Sequence, residues 1–129
     1  MVCHFILYVR DQSVSTDFYR HLLAQEPALD VPGMTEFHLA PNCILGLMPE
    51  TGIKRLLGDK IQDPEKSTGV SRAEVYLQVS DPNSYMGRAK MVGAAVLSEL
   101  SPRNWCHDAG YVLDPDGHVV AFARPIASL

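Results

Sequence analysis

The chain has 129 residues, 47 % of them hydrophobic and 20 % charged, which suits one domain with a buried core. A net charge of −4 argues against a nucleic-acid partner, and no apolar run approaches the length of a bilayer span. Cys3, Cys43 and Cys106 have no close partner in sequence and suit reduced thiols in a cytoplasm, and the opening MVCHFILYVRD has no basic leader, so no signal peptide is expected.

Residues 3–9 are apolar and rich in β-formers, so a strand is predicted there. Asp11 or Ser13 can cap the helix that follows, in which Val14, Phe18 and Leu22 recur at helical spacing as a buried stripe. Short strands are expected near 28–31, 35–40 and 43–48. Residues 49–70 show no strand pattern and read as a linker. Ile53, Leu56 and Leu57 offer one apolar helical turn that would make the same segment a lid.

A second cycle begins at Ala73. Residues 73–79 read as a strand, Asp81-Pro82-Asn83 as a helix start, and Tyr85, Ala89 and Val92 as that helix's stripe, with Gly93 ending it. Strands are expected near 95–99, 108–113 and 118–123. Asp114-Pro115-Asp116-Gly117 is a turn in which Gly supplies positive φ.

The two cycles match by number. Leu7 with Leu77, Val9 with Val79, Asp11 with Asp81 and Leu22 with Val92 are each 70 residues apart. Residues 42–46 align with 117–121 at a slightly larger offset. A repeat that keeps strand, cap, helix and final strand in order predicts two βαβββ modules, about 3–49 and 73–124, joined by residues 50–72 within one domain. The fold class is α+β, with two curved sheets forming a cleft.

His4-Phe5-Ile6-Leu7-Tyr8-Val9-Arg10-Asp11, with Asp17-Phe18-Tyr19 and His21-Leu22-Leu23, resembles the opening of glyoxalase-type proteins. Residues 111–118, with Asp114-Pro115-Asp116-Gly117 at their centre, resemble their closing hairpin. On these motifs the chain resembles the vicinal oxygen chelate superfamily, which includes glyoxalases, bleomycin-resistance proteins and extradiol dioxygenases. In metal-dependent members the resemblance implies four ligand positions, which fall here on His4, Gly46, Glu74 and Ala121. Only His4 and Glu74 carry donors. A catalytic divalent ion typically needs three protein ligands, so the set is incomplete.

Strand alternation sorts the remaining candidates. With His4 facing the cleft, Ile6 and Tyr8 follow it, and Phe5, Leu7 and Val9 pack under the helix. Glu74, Tyr76 and Gln78 face the cleft in the second module. Ile44, Gly46, Met48, Val119, Ala121 and Ala123 line its floor. Trp105 is expected as an aromatic wall or as loop packing, with His107 and Asp108 as added polar contacts and His118 as structural. Glu74 is expected to find a base such as Arg10 or Arg72. Cys3 and Cys43 fall on the core side as inert buried thiols, and Cys106 is the exposed one.

These readings converge on a cytoplasmic homodimer that sequesters a small apolar or aromatic molecule, an antibiotic or a metabolite, with no cofactor. Ile6, Tyr8, Gly46, Met48, Tyr76, Gln78, Trp105 and Ala121 would contact it. The alternative is a glyoxalase-like lyase or isomerase using His4 and Glu74 as catalytic residues, with a weakly bound divalent metal on the same pair. A third reading is an assembly partner without ligand chemistry.

Overall fold

Residues 1–20 and 24–69 form one unit of the computed structural model, which describes residues 1–127; residues 21–23 group with the chain from Val70 onward as the second. In the first unit β1 (Cys3–Val9) leads into α1 (Gln12–Leu23), then β2 (Leu29–Val31), β3 (Met34–Ala40) and β4 (Cys43–Pro49). The strands lie in the order β1-β4-β3-β2, with β1 parallel to β4 and the other pairs antiparallel. Asp11 starts α1 as expected: its Oδ1 accepts the Val14 N–H at 3.1 Å, which satisfies a free donor of the first turn.

The helix face differs from the predicted stripe. Val14 is 51 % exposed, while Ser15, Thr16, Phe18, Tyr19, Leu22 and Leu23 are buried. The reason is polar pairing. Thr16 Oγ1 meets Thr35 Oγ1 on β3 at 2.9 Å, and Gln12 Nε2 donates to Val31 O and Thr35 Oγ1. Gly33, at φ 98°, completes the clamp by donating its N–H to Gln12 Oε1. Buried hydroxyls that satisfy one another can occupy a core position that hydrophobicity alone assigns to Val14. Behind them Leu7, Val9, Phe37, Leu45 and Leu47 form the apolar core under Tyr19. Phe5, expected in that core, is 41 % exposed, because the first half of β1 carries no cover. Cys3, on the same uncovered stretch, is exposed and Cys43 is partly exposed, so neither is the buried thiol expected.

The segment after β4, expected as a linker or a lid, groups with the first unit. It holds α2 (Glu50–Leu57) and two 3₁₀ turns, Gly58–Lys60 and Pro64–Lys66. Ile53 is buried but Leu56 is 70 % exposed, and Leu57 is exposed too. Arg10 ties the segment down. Its Nε lies 3.4 Å from Glu50 Oε1, and its Nη2 donates to the Glu65 carbonyl at 3.2 Å. Glu50 is buried, so this cation offsets the cost of covering its carboxylate.

The second unit repeats the plan with β5 (Glu74–Gln78), α3 (Pro82–Met91), β6 (Val96–Pro102), β7 (His107–Leu113) and β8 (Val119–Pro125). Its strand order is β5-β8-β7-β6, again with the first and last strands parallel. Asp81 caps α3 through the N–H and hydroxyl of Ser84, which stands 70 residues after Val14 as Asp81 does after Asp11. Ala89 is buried as expected, Tyr85 is half-buried with its ring centroid 5.1 Å from that of Phe122 on β8, and Met86 is buried as well. The hairpin turn is set by Asp114, whose Oδ1 accepts the N–H groups of Asp116 and His118, with Gly117 at φ 85°. No described helix is long and apolar enough to cross a membrane.

Candidate functional site

In the first unit the side of the sheet away from α1 carries His4, Ile6 and Tyr8 from β1 beside Ile44, Gly46 and Met48 from β4, as the register His4↔Ile44, Ile6↔Gly46, Tyr8↔Met48 requires. The alternation expected from the sequence therefore places these residues together. Gly46 does not open a hole there. A Cβ at this position would lie 3.0 Å from Ile6 Cγ1 and 3.4 Å from Met34 Sδ, so neighbouring side chains already fill the space.

Sequence reasoning missed Glu36 on β3. It pairs with Gly46 in register, and its Oε2 lies 3.4 Å from His4 Nδ1. The carboxylate thus reaches across β4 to the imidazole. The signal was present in Met34-Thr35-Glu36-Phe37, where Thr35 and Phe37 are buried under the helix and alternation sends Glu36 to the other face.

On the α1 side of this unit an open groove of about 520 Å³ is lined by Gln12, Ser13, Thr16, Asp17, Arg20, Asp30, Val31 and Pro32. None of the predicted site residues line it. Its one cation, Arg20, is held by Asp17 and Glu26.

In the second unit Glu74, Tyr76 and Gln78 share the side of the sheet away from α3, in register with Val119, Ala121 and Ala123 of β8. Ala121 sits between Tyr76 and Tyr111 in one cross-strand row and is fully buried, so it does not contribute the open floor expected of it; Ala123 is likewise buried. Glu74 has no ion-pair partner among the described residues, although Arg10 or Arg72 was expected.

Trp105 stands in the short loop between β6 and β7, where Cys106 adopts φ 61° and Arg103 and His107 close the backbone with an N–H···O bond of 2.7 Å. The indole Nε1–H donates to Tyr76 Oη at 3.0 Å, and that hydroxyl lies 2.7 Å from His107 Nδ1 with the two rings stacked at 5.8 Å. An indole N–H only donates, so Tyr76 Oη accepts from it, and the direction of its bond to His107 Nδ1 is set by the imidazole tautomer. Trp105 remains 49 % exposed, so its ring is anchored at one edge and free at its face.

Tyr111 and Arg103, also missed from the sequence, complete this side. The Arg103 guanidinium stacks 5.3 Å from the Tyr111 ring and donates to Ser98 Oγ and to the carbonyls of Glu99 and Ala109. Burial pushes the Tyr111 hydroxyl above its ordinary pKa of 10.0; the Glu74 carboxylate and Tyr76 add to the rise and Arg103 opposes it. Asp108 pairs with Arg124 at 3.6 Å. His118 donates its backbone N–H to Asp114 Oδ1 in the turn.

Of the four positions implied as metal ligands, Gly46 and Ala121 supply no donor atom, and His4 lies against a carboxylate of its own sheet. Among the described residues no three of His, Cys, Asp and Glu come together to hold a metal ion. The donor set does not fit a three-ligand divalent site.

No protein-family model matches the sequence, and no curated protein matches it. Solved structures do. A glyoxalase-related enzyme from Fulvimarina pelagi is similar with a TM-score of 0.80 at 20 % identity, over 96 % of this chain and 87 % of that one. A glyoxalase/bleomycin resistance protein/dioxygenase from Nocardioides is similar at 0.78 and 18 %, over 98 % and 84 %. A glyoxalase/bleomycin resistance protein/dioxygenase family enzyme from Burkholderia phytofirmans PsJN is similar at 0.79 and 12 %, over 95 % and 97 %. The chain has the glyoxalase/bleomycin-resistance fold.

Proposed function

We propose that this chain, built on the glyoxalase/bleomycin-resistance fold, binds a small planar molecule without help from a metal, on the side of the second sheet that carries Tyr76. The observation that carries the reading is the Trp105–Tyr76–His107 chain of hydrogen bonds. It fixes an indole ring at its polar edge and leaves the face half exposed. A ring held this way loses little entropy when a planar ligand stacks on it, and such contacts contribute roughly 0.5–1.5 kcal/mol beyond area burial. The same chain holds the His107 ring by its Nδ1. An aromatic surface with one oriented imidazole and a few polar neighbours is a common plan for a small-molecule site. The absence of donors at Gly46 and Ala121 favours binding over metal chemistry. A cytoplasmic, dimeric protein that sequesters an antibiotic or a metabolite is the fuller form of this reading.

The test uses a panel of planar aromatic compounds. Hits that raise the melting temperature should also change the emission of Trp105, the single tryptophan. Their affinity should fall in Trp105→Ala and Tyr76→Phe. Compounds that bind while Trp105 emission and both variants' affinities stay unchanged would remove the reading.

A further inference from the structure

We propose that Cys3 and Cys43 form a dithiol site that closes to an intrachain disulfide by exchange with a small disulfide such as oxidised glutathione. The two thiols stand 40 residues apart in sequence, and the first sheet makes them neighbours: Cys3 of β1 is the in-register partner of Cys43 of β4. The strands are parallel, so residues in register project to the same side of the sheet. By alternation that is the side of Leu7, Val9, Leu45 and Leu47 under α1, opposite the side that carries His4. Neighbouring strands lie about 4.8 Å apart, within the range of roughly 4.4–6.8 Å between Cα atoms that a disulfide spans. The Cys3 N–H donates to the Asn42 carbonyl at 2.9 Å, which pins the start of β1 to the residue before Cys43. Joining the sulfurs then calls for side-chain rotation rather than a shift of the strands.

Exposure divides the work. Cys3 is exposed and Cys43 is partly covered, so Cys3 meets the small disulfide first. The surroundings admit it: Phe5, next on the same side of β1, is itself exposed, and the β3 partner of Cys43 is Ala40, with only a methyl group. The Cys3 thiolate attacks one sulfur of the small disulfide, whose S–S bond breaks, and one small thiol leaves with the proton that Cys3 gave up. The chain now carries a mixed disulfide on Cys3. The Cys43 thiolate attacks the Cys3 sulfur and displaces the second small thiol, which leaves with the Cys43 proton. Two protein thiols are thereby oxidised to one disulfide, and one small disulfide is reduced to two thiols. A disulfide at this open end of the sheet stays within reach of thiols, so an excess of reduced thiol reverses the closure. Cys106 lies in the loop between β6 and β7, outside any strand, and has no partner in register.

The probe is oxidised glutathione, added to the reduced full chain, with the products read by mass spectrometry before and after digestion. The wild-type digest should contain a peptide pair linked through Cys3 and Cys43, a readout independent of any variant's folding. Cys106→Ser, which removes the third thiol, should lose the mass of two hydrogen atoms and retain no glutathione. Dithiothreitol should restore its reduced mass. Cys43→Ser should stop one step earlier, with one glutathione held on Cys3. Lasting glutathione adducts on Cys3 and Cys43 of the wild type would overturn the proposal. So would a link between two chains, a link to Cys106, or a Cys3 and Cys43 that stay reduced throughout.

Discussion

Tyr76 Oη lies 2.7 Å from His107 Nδ1 with the two rings stacked, and the same oxygen accepts the indole N–H of Trp105. One hydroxyl therefore holds two side chains from the far end of the sheet. Tyr76→Phe removes that oxygen and leaves the ring. Trp105 should then move more freely, and acrylamide should quench its emission more strongly. The stability cost should be small, about 1 kcal/mol, because the indole is half exposed and water can replace the lost partner. Unchanged quenching would mean that loop packing, and not the hydroxyl, holds Trp105.

Tyr111 should titrate above 10.0, because burial, Glu74 and Tyr76 all disfavour its phenolate. The folded pKa is raised above the unfolded value. The associated stability is present below about pH 10 and is lost as pH rises through the raised folded value. In ultraviolet titration the Tyr111→Phe difference spectrum should report the late-titrating phenol. Glu74→Gln should bring that titration down toward 10.0, and Tyr111→Phe should flatten the alkaline loss of stability. No movement in Glu74→Gln would mean that the carboxylate does not act on Tyr111.

A side chain at Gly110 has nowhere to go. Its Cβ would lie 2.7 Å from Met86 Sδ, 2.9 Å from Met86 Cε and 3.2 Å from the Leu100 backbone nitrogen. Met86 is 3 % exposed, so it cannot swing out to water. Gly110→Ala should cost roughly 1–3 kcal/mol in denaturant unfolding, the usual scale of overpacking. Combined with Met86→Ala, the loss should be smaller than the sum of the two single losses, since the second change removes the clash. Additive losses would place the strain at Leu100 alone.

The repeat was legible because it is written in local chemistry. Asp11 and Asp81 each cap a helix by bonding the residue three positions on, and any chain with that spacing shows it. Period-two alternation likewise assigned His4, Ile6 and Tyr8 to one face and Leu7 and Val9 to the other. The face of α1 was not legible. Ser15 and Thr16 are buried through partners such as Thr35, 19 residues beyond Thr16, and hydropathy cannot register a partner not yet in place. The contacts that hold the segment after β4 were not legible for the same reason: Arg10 reaches Glu50 and Glu65, each 40 or more residues away.

The sequence by itself determined the α+β plan, the two βαβββ cycles, their caps and turns, and which side of β1 and β5 each residue faces. These depend on spacing within a few residues, which the chain carries wherever it goes. Only the tertiary structure decided which polar groups meet. Glu36 reaches His4 because β4 lies between β1 and β3 in the sheet. Tyr76 meets His107 and Trp105 because β8 and β7 bring residues about 30 positions apart onto one face. Hydrogen bonds and ion pairs act over a few ångströms, so their partners are fixed by strand order and register, and those are set only when the sheets assemble.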